Sequence, residues 1–227
     1  MQTIEPSAQN EHFYGGPRAP ALKLSADEEP HTNPTLLPDS FMLSIVPIFV
    51  IRHPVLQNES WYRAISRCAP VDLENPWSRA MGSIHFCRQL LEWYEANVPS
   101  DVEVDSPKRP GPFAPIVLHA DDILDNRPLI EDLCRRCNFD PAKVLYEWDQ
   151  TKPKEGLNDM GKSFLKDIHE STGVDKSKSS KGVNIDAKYD EWKEKWGPDV
   201  ADLLKSNAEA AMDDYVYMKA RMMKVAE

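Results

Sequence analysis

The apolar positions of this chain follow two patterns. The first is a short unbroken run, Ile48-Phe49-Val50-Ile51. It is too short for a helix and rich in β-branched residues, so it predicts a buried strand. Ile116-Val117-Leu118 predicts a second strand of the same kind. The other pattern is helical spacing. Trp77, Met81, Ile84, Leu91 and Trp93, with Phe86, Leu90 and Tyr94, predict one wide-faced helix that opens at Pro76 and runs to about Ala96. Further helices are predicted over 59–68, around Leu129 to Cys134, from Asp140-Pro141 through Trp148, and over 161–170. The chain then closes with 186–196, a break at Gly197-Pro198, a long helix through Leu203 to Met212, and one or two last helical turns.

Breakers divide these elements. Residues 1–44 carry Gly15-Gly16-Pro17, Ala19-Pro20, Glu29-Pro30 and Asn33-Pro34 and lack periodicity, so they predict irregular chain, with one helical turn over Asp39–Ser44. Residues 45–227 are expected to form one domain. Five prolines over 99–115 predict a loop. Between the two strands there is chain enough for a parallel crossover. The predicted class is α/β, with a small parallel sheet and mostly helical content.

Composition narrows the functions. Of the 227 residues, 41% are hydrophobic, enough for a core. The net charge is −10, and the one dense basic stretch is Lys176 to Lys181, which speaks against a nucleic-acid partner. No apolar run is long enough to span a bilayer, and the first residues lack the apolar core of a signal peptide, so a cytoplasmic protein without a membrane partner is expected. Cys134 and Cys137 spell CxxC, but no second cysteine pair or spaced histidine completes a zinc site; reduced cysteines on a helix face, and no metal, are expected.

Candidate chemistry gathers where the strands end. Arg52 closes the first strand, and Pro54 biases His53 away from helical angles, which predicts a turn there. Such corners at the carboxyl ends of strands are where α/β proteins bind ligands. Arg52 offers a planar fork of donors, and Ser60, placed at a predicted helix start, offers a hydroxyl beside free N–H groups; together they suit a phosphate-like anion. A structural arginine and a capping serine are the plain alternatives. His53 at the turn is a candidate for acid–base or substrate contact. His119, Asp121 and Asp122 follow the second strand at the same end of the sheet, where a histidine and a carboxylate suit proton transfer, or an aspartate suits a helix cap. Trp61 and Tyr62 fit core packing or a pocket wall.

Arg52-x-Pro54 after a strand, with Ser60 eight positions beyond the arginine, resembles the nucleotide 3′-phosphate site of cytosolic sulfotransferases. The wider text is similar to a sulfotransferase-like group of fungal proteins with the three-layer P-loop hydrolase fold. The likeness runs through Asn33 to Asp39, Phe49 to Pro54, His119 to Asp122, Tyr189 to Trp196 and Asp213 to Met218, over roughly residues 33–220. It implies a small-molecule ligand, 3′-phosphoadenosine 5′-phosphosulfate (PAPS) as cofactor, and Arg52 with Ser60 at its 3′-phosphate end. Lys181-Gly182 faintly resembles a late segment that touches the same phosphate. The resemblance also implies a strand and phosphate loop ahead of the arginine. Gly15-Gly16-Pro17-Arg18, the nearest match, has neither a strand before it nor a helix after it. The expectation is therefore a partial P-loop fold, with PAPS or its bisphosphate product bound only if that loop is supplied. Sulfotransferase-like tailoring of a small molecule in fungal secondary metabolism is the leading function. A catalyst without PAPS would use acid–base chemistry: cyclisation, dehydration or isomerisation. A non-catalytic accessory protein, a truncated sulfotransferase, and a chain that completes its sheet with a second copy stay open.

Overall fold

The computed structural model describes residues 31–80, 82–98, 113–152 and 155–224. Most of the irregular segment expected at the start, and most of the proline-rich loop, lie outside them.

Two strands anchor the molecule. β1 (Ile48–Ile51) pairs in parallel with β2 (Ile116–His119), Ile48 opposite Ile116 and Ile51 opposite His119. On the far side of β2, a single parallel bridge joins Val117 to Met222, with the Met223 N–H donating to the Val117 carbonyl at 2.8 Å. Among the described residues β2 is therefore the middle of this small sheet and β1 an edge. The expected α/β class with a small parallel sheet and mainly helical content is what the described residues form.

One face of the sheet carries Phe49, Ile51 and Val117. It packs on α1 (Asp39–Leu43) through Met42, on α4 (His85–Asn97) through Leu91 and Tyr94, and on α10 (Met212–Lys219) through Tyr215 and Met218. The Tyr94 hydroxyl donates to the Met42 carbonyl at 2.6 Å, and burial pushes its pKa up to about 12. The other face of β2, Ile116 and Leu118, packs on Leu129 of α6 (Arg127–Arg136), which follows α5 (Ala120–Asp125). A second core lies beside the sheet. There α2 (Pro54–Ile65), α8 (Ile185–Trp196) and α9 (Pro198–Ala210) bury Val55, Tyr62, Trp192 and Leu204 together. Gly197 joins the last two helices at φ +90°, a left-handed angle that suits glycine.

Several expected boundaries move. The helix predicted over 76–96 is two, α3 (Pro76–Ala80) and α4. Between them Gly82 lies so close to the buried Asn58 side chain that a Cβ would overlap it. The helix predicted from Asp140-Pro141 through Trp148 is one 3₁₀ turn, Pro141–Lys143. The chain beyond it is extended and bridges Glu147 to Gly173 in antiparallel sense, which satisfies its backbone without a helix. The helix predicted over 161–170 is α7 (Asp159–Glu170), capped by Asn158. Cys134 and Cys137 are free thiols, and among the described residues no three His, Cys, Asp or Glu side chains form a metal-binding group. No helix of the described residues is long and apolar enough to cross a membrane.

Candidate functional site

Arg52 stands at the carboxyl end of β1, and the turn behind it is tighter than the sequence predicts. α2 begins at Pro54, not near Ser60. Pro54 takes the first helical position, where its missing N–H is no loss, and the His53 Nδ1 caps the helix by accepting from the Val55 N–H at 3.3 Å. Ser60 consequently sits mid-helix, away from the helix N-terminus, where the Val55 and Leu56 N–H groups are both taken by His53, through its Nδ1 and its carbonyl. Ser60 still faces the same hollow as Arg52, by helical periodicity. Gln57, Ser60 and Ala64 repeat every three or four residues and Arg63 follows Ser60 by three, so one flank of α2 presents them, with Arg67 in the turn just beyond its end.

α7 closes this hollow from the opposite side. The Ser163 hydroxyl donates to the Ala64 carbonyl at 2.6 Å, pinning α7 to the end of α2. Between them lies a cavity of about 230 Å³, lined by Arg52, Ser60, Arg63, Arg67, Ser163 and Asp167 among others. Three guanidinium groups meet one carboxylate there. Asp167 contacts Arg67 at 3.8 Å and the Lys178 ammonium at 3.2 Å, and these cations hold its carboxyl below the usual carboxylate range against the opposing effect of burial. Arg52 donates to the Lys178 carbonyl at 3.4 Å, and among the described residues neither it nor Arg63 has a carboxylate within 4.0 Å. Burial first, then repulsion from Arg63, lowers the Arg52 pKa. A cavity where three guanidinium groups face one carboxylate, with the Ser60 hydroxyl beside them, suits a tetrahedral oxyanion.

At the end of β2 the structure gathers the other candidates. His119 is buried and caps α5, its Nδ1 accepting from the Asp121 N–H at 3.1 Å. That bond requires a bare Nδ1, so the ring carries its proton on Nε2 and donates to the Tyr215 hydroxyl at 2.8 Å. The cap expected from Asp121 or Asp122 thus comes from the histidine. Asp121 instead accepts from the Ser180 N–H at 2.9 Å and hydroxyl at 2.6 Å, bonds that hold its carboxyl low despite burial. His53 packs its ring against the same Tyr215, centroids 5.3 Å apart, while the His119 ring lies 5.8 Å away. Burial, then the Lys219 ammonium, lowers the pKa of His53, and burial lowers that of His119, so both are neutral at pH 7. Nε2 of His53 has no hydrogen-bond partner among the described residues. Tyr62 is core, and Trp61 borders the arginine cavity. Lys181 lies away from that cavity, 3.9 Å from Asp125.

No sequence pattern above singles out Arg63, Arg67, Asp167, Tyr215 or Lys219 as site residues. Two of them were open to discovery: continuing the helical period past Ser60 reaches Arg63 and Arg67. Tyr215 and Asp167 arrive from distant chain, and no local pattern points to them.

No protein-family model matches this chain, and no solved structure matches it. The chain spans 57% of the length of the curated relatives it matches. It is similar to the protein named sulfotransferase ppzF from Metarhizium rileyi (strain RCEF 4871), 32% identical over 199 residues that make up 85% of this chain. It is similar in the same degree to the sulfotransferase ppzF of Metarhizium majus (strain ARSEF 297), 32% identical over 198 residues and again 85% of this chain, and these fungal relatives support a sulfotransferase-like protein.

Proposed function

We propose that this chain is a sulfotransferase-like tailoring protein of fungal secondary metabolism. Its arginine cavity recognises a phosphate- or sulfate-bearing group on a small molecule. The observation that carries this is the pair of guanidinium groups without a carboxylate within 4.0 Å among the described residues, Arg52 and Arg63, facing one hollow with the Ser60 hydroxyl. The donor set fits the 3′-phosphate end of PAPS, held by Arg52 and Ser60 as the resemblance implies. Bound PAPS would supply a sulfuryl group. The chemistry assigned to this chain's own residues is proton transfer of the cyclisation, dehydration or isomerisation type, independent of PAPS. His53, neutral at pH 7 with Nε2 unengaged, is the base. His119 and Asp121 are its positioning partners, His119 through the shared Tyr215 ring.

Calorimetric titration tests this with adenosine 3′,5′-bisphosphate against adenosine 5′-monophosphate. The bisphosphate is expected to bind with a Kd of about 10 μM to 1 mM, roughly tenfold more weakly in Arg52→Ala. Equal affinity for the two nucleotides sinks the anion site. Submicromolar binding lost in Arg52→Ala sinks the PAPS-independent chemistry.

A further inference from the structure

A carboxylate is an odd member of an anion cavity. Arg52, Arg63 and Arg67 line that hollow, and a guanidinium only donates hydrogen bonds. A site for a bare anion needs donors alone. Yet α7 sets Asp167 into the wall, one helical turn beyond Ser163. Ser163 adds a second acceptor. Its hydrogen goes to the Ala64 carbonyl at 2.6 Å, so for a ligand its oxygen can only accept.

The partners of Asp167 leave it room for a ligand. Lys178 bonds Oδ2 at 3.2 Å, Arg67 lies 3.8 Å from Oδ1, and among the described residues Asp167 accepts no other hydrogen bond. Its side chain is 44% exposed. Burial works to raise its pKa, but the Lys178 hydrogen bond and the charges of Lys178, Arg63 and Arg67 lower it on balance. It is therefore ionised at neutral pH and has no hydrogen to give.

Acceptors set among guanidinium groups sort oxyanions by their hydrogens. Phosphate and sulfate have the same tetrahedral shape. Near neutral pH phosphate keeps at least one hydrogen, whereas sulfate and its esters keep none. An oxyanion with a hydrogen gives it to Asp167 while its other oxygens take the arginine donors. A bare one sets an oxygen against the carboxylate with no hydrogen between two like charges.

We propose that Asp167 is a specificity-determining residue that makes the arginine cavity select a hydrogen-bearing phosphate, free or as the monoanion of a monoester, against sulfate and its esters. This rests on the anion-site reading and deepens it: of phosphate- and sulfate-bearing groups, only the first belongs in this hollow.

The test titrates the full chain calorimetrically at pH 7, free of other oxyanions, with inorganic phosphate and with sulfate. Phosphate is the less charged of the two, so plain attraction to the arginines ranks sulfate first. Phosphate is instead expected to bind about tenfold more tightly, and Asp167→Asn, whose amide can donate, should bring the two within about twofold by tightening sulfate. Tighter sulfate binding also shows that the variant's site is formed. Asp175→Asn removes a carboxylate 3.9 Å from Lys178 but outside the cavity lining, and should keep the preference. Methyl phosphate, with a second pKa of about 6, should bind with uptake of close to one proton, read from the heats in two buffers of different ionisation enthalpy, and with none in Asp167→Asn. If phosphate binds and methyl phosphate does not, the proposal stands with free phosphate as the source. Methyl phosphate bound without proton uptake, a preference undiminished in Asp167→Asn, or one lost in Asp175→Asn overturns the proposal. Equal binding of phosphate and sulfate, both weakened in Arg52→Ala, overturns it while keeping the anion site. No saturable binding of either up to about 10 mM removes the anion site and the proposal with it.

Discussion

The two strands are near twins in sequence, Ile-Phe-Val-Ile and Ile-Val-Leu-His, paired in parallel and in register, yet they live differently. β2 is buried at every position. It has β1 on one edge and the Met222 bridge on the other, α6 over one face and α10 over the other. β1 alternates. Phe49 and Ile51 face the core, while Ile48 and Val50 are 42% and 59% exposed. The cause is placement: α6 follows β2 and covers Ile116 and Leu118, and none of the described helices does the same for β1. An apolar run therefore reports that a strand exists but not how much of it the fold covers. The contrast continues into the residues that follow. His119, at the end of the covered strand, has both ring nitrogens engaged within the fold. Arg52, at the end of the bare strand, makes one long hydrogen bond within the described fold, from Nη2 to the Lys178 carbonyl.

The sharpest way to break this comparison is to truncate equivalent positions on one face. Leu118 is 2% exposed and packed on Leu129, so Leu118→Ala should cost about 2–5 kcal/mol of stability in urea denaturation. Val50→Ala, its register partner on the same sheet face, should cost less than about 0.5 kcal/mol. Comparable losses at the two positions would mean that something covers β1.

Next in size is the group that ends β2. Tyr215→Phe leaves the ring in place but strips the buried His119 Nε2 of its partner, which should cost about 1–3 kcal/mol. The same histidine sets a pH dependence. Burial lowers its folded pKa below the unfolded value near 6.5. Below that value the unfolded chain binds the proton first, so this part of the stability is full above about pH 6.5 and falls as pH drops toward the folded pKa. His53 is depressed in the same direction and adds to the loss. Protonation at Nδ1 also removes the acceptor that caps α5. The wild type should melt lower at pH 5.5 than at pH 7.5, and His119→Gln should narrow the gap. A gap unchanged in that variant would assign the titration elsewhere.

How legible this molecule is from its sequence depends on range. Patterns carried by adjacent residues read well: both strands, the break at Gly197-Pro198, and the helix ending at Glu170. Arg52 at the end of β1 and His119 at the end of β2 follow from them. Mistakes arise where a side chain outside the window decides the outcome. Asn58 against Gly82 coincides with the split of the helix predicted from Pro76 to Ala96. His53 and His119, not serine or aspartate, cap α2 and α5, because each ring is already held against Tyr215. Asp167 reaches the arginine cavity from more than a hundred residues beyond Arg52, and the Glu147–Gly173 bridge joins chain on either side of α7. Both depend on pairings that local propensity does not encode.

The smallest expected effect belongs to the end of β1. Arg52 spends burial on a guanidinium that no carboxylate meets within 4.0 Å among the described residues; Arg63 repels it, while Glu59 and Asp121 attract it from farther off. Removing it forfeits one long hydrogen bond to the Lys178 carbonyl and that distant attraction, and relieves the repulsion. The two changes oppose each other, so Arg52→Ala should shift stability by no more than about 0.5 kcal/mol in either direction, and by less at high salt, where the repulsion is screened. So small a cost is what the proposed anion site requires of Arg52. The check is a pair of urea melts, at low and at high sodium chloride, without phosphate or sulfate. A loss of more than about 2 kcal/mol would make Arg52 a structural arginine. The two strand ends would then no longer differ in kind.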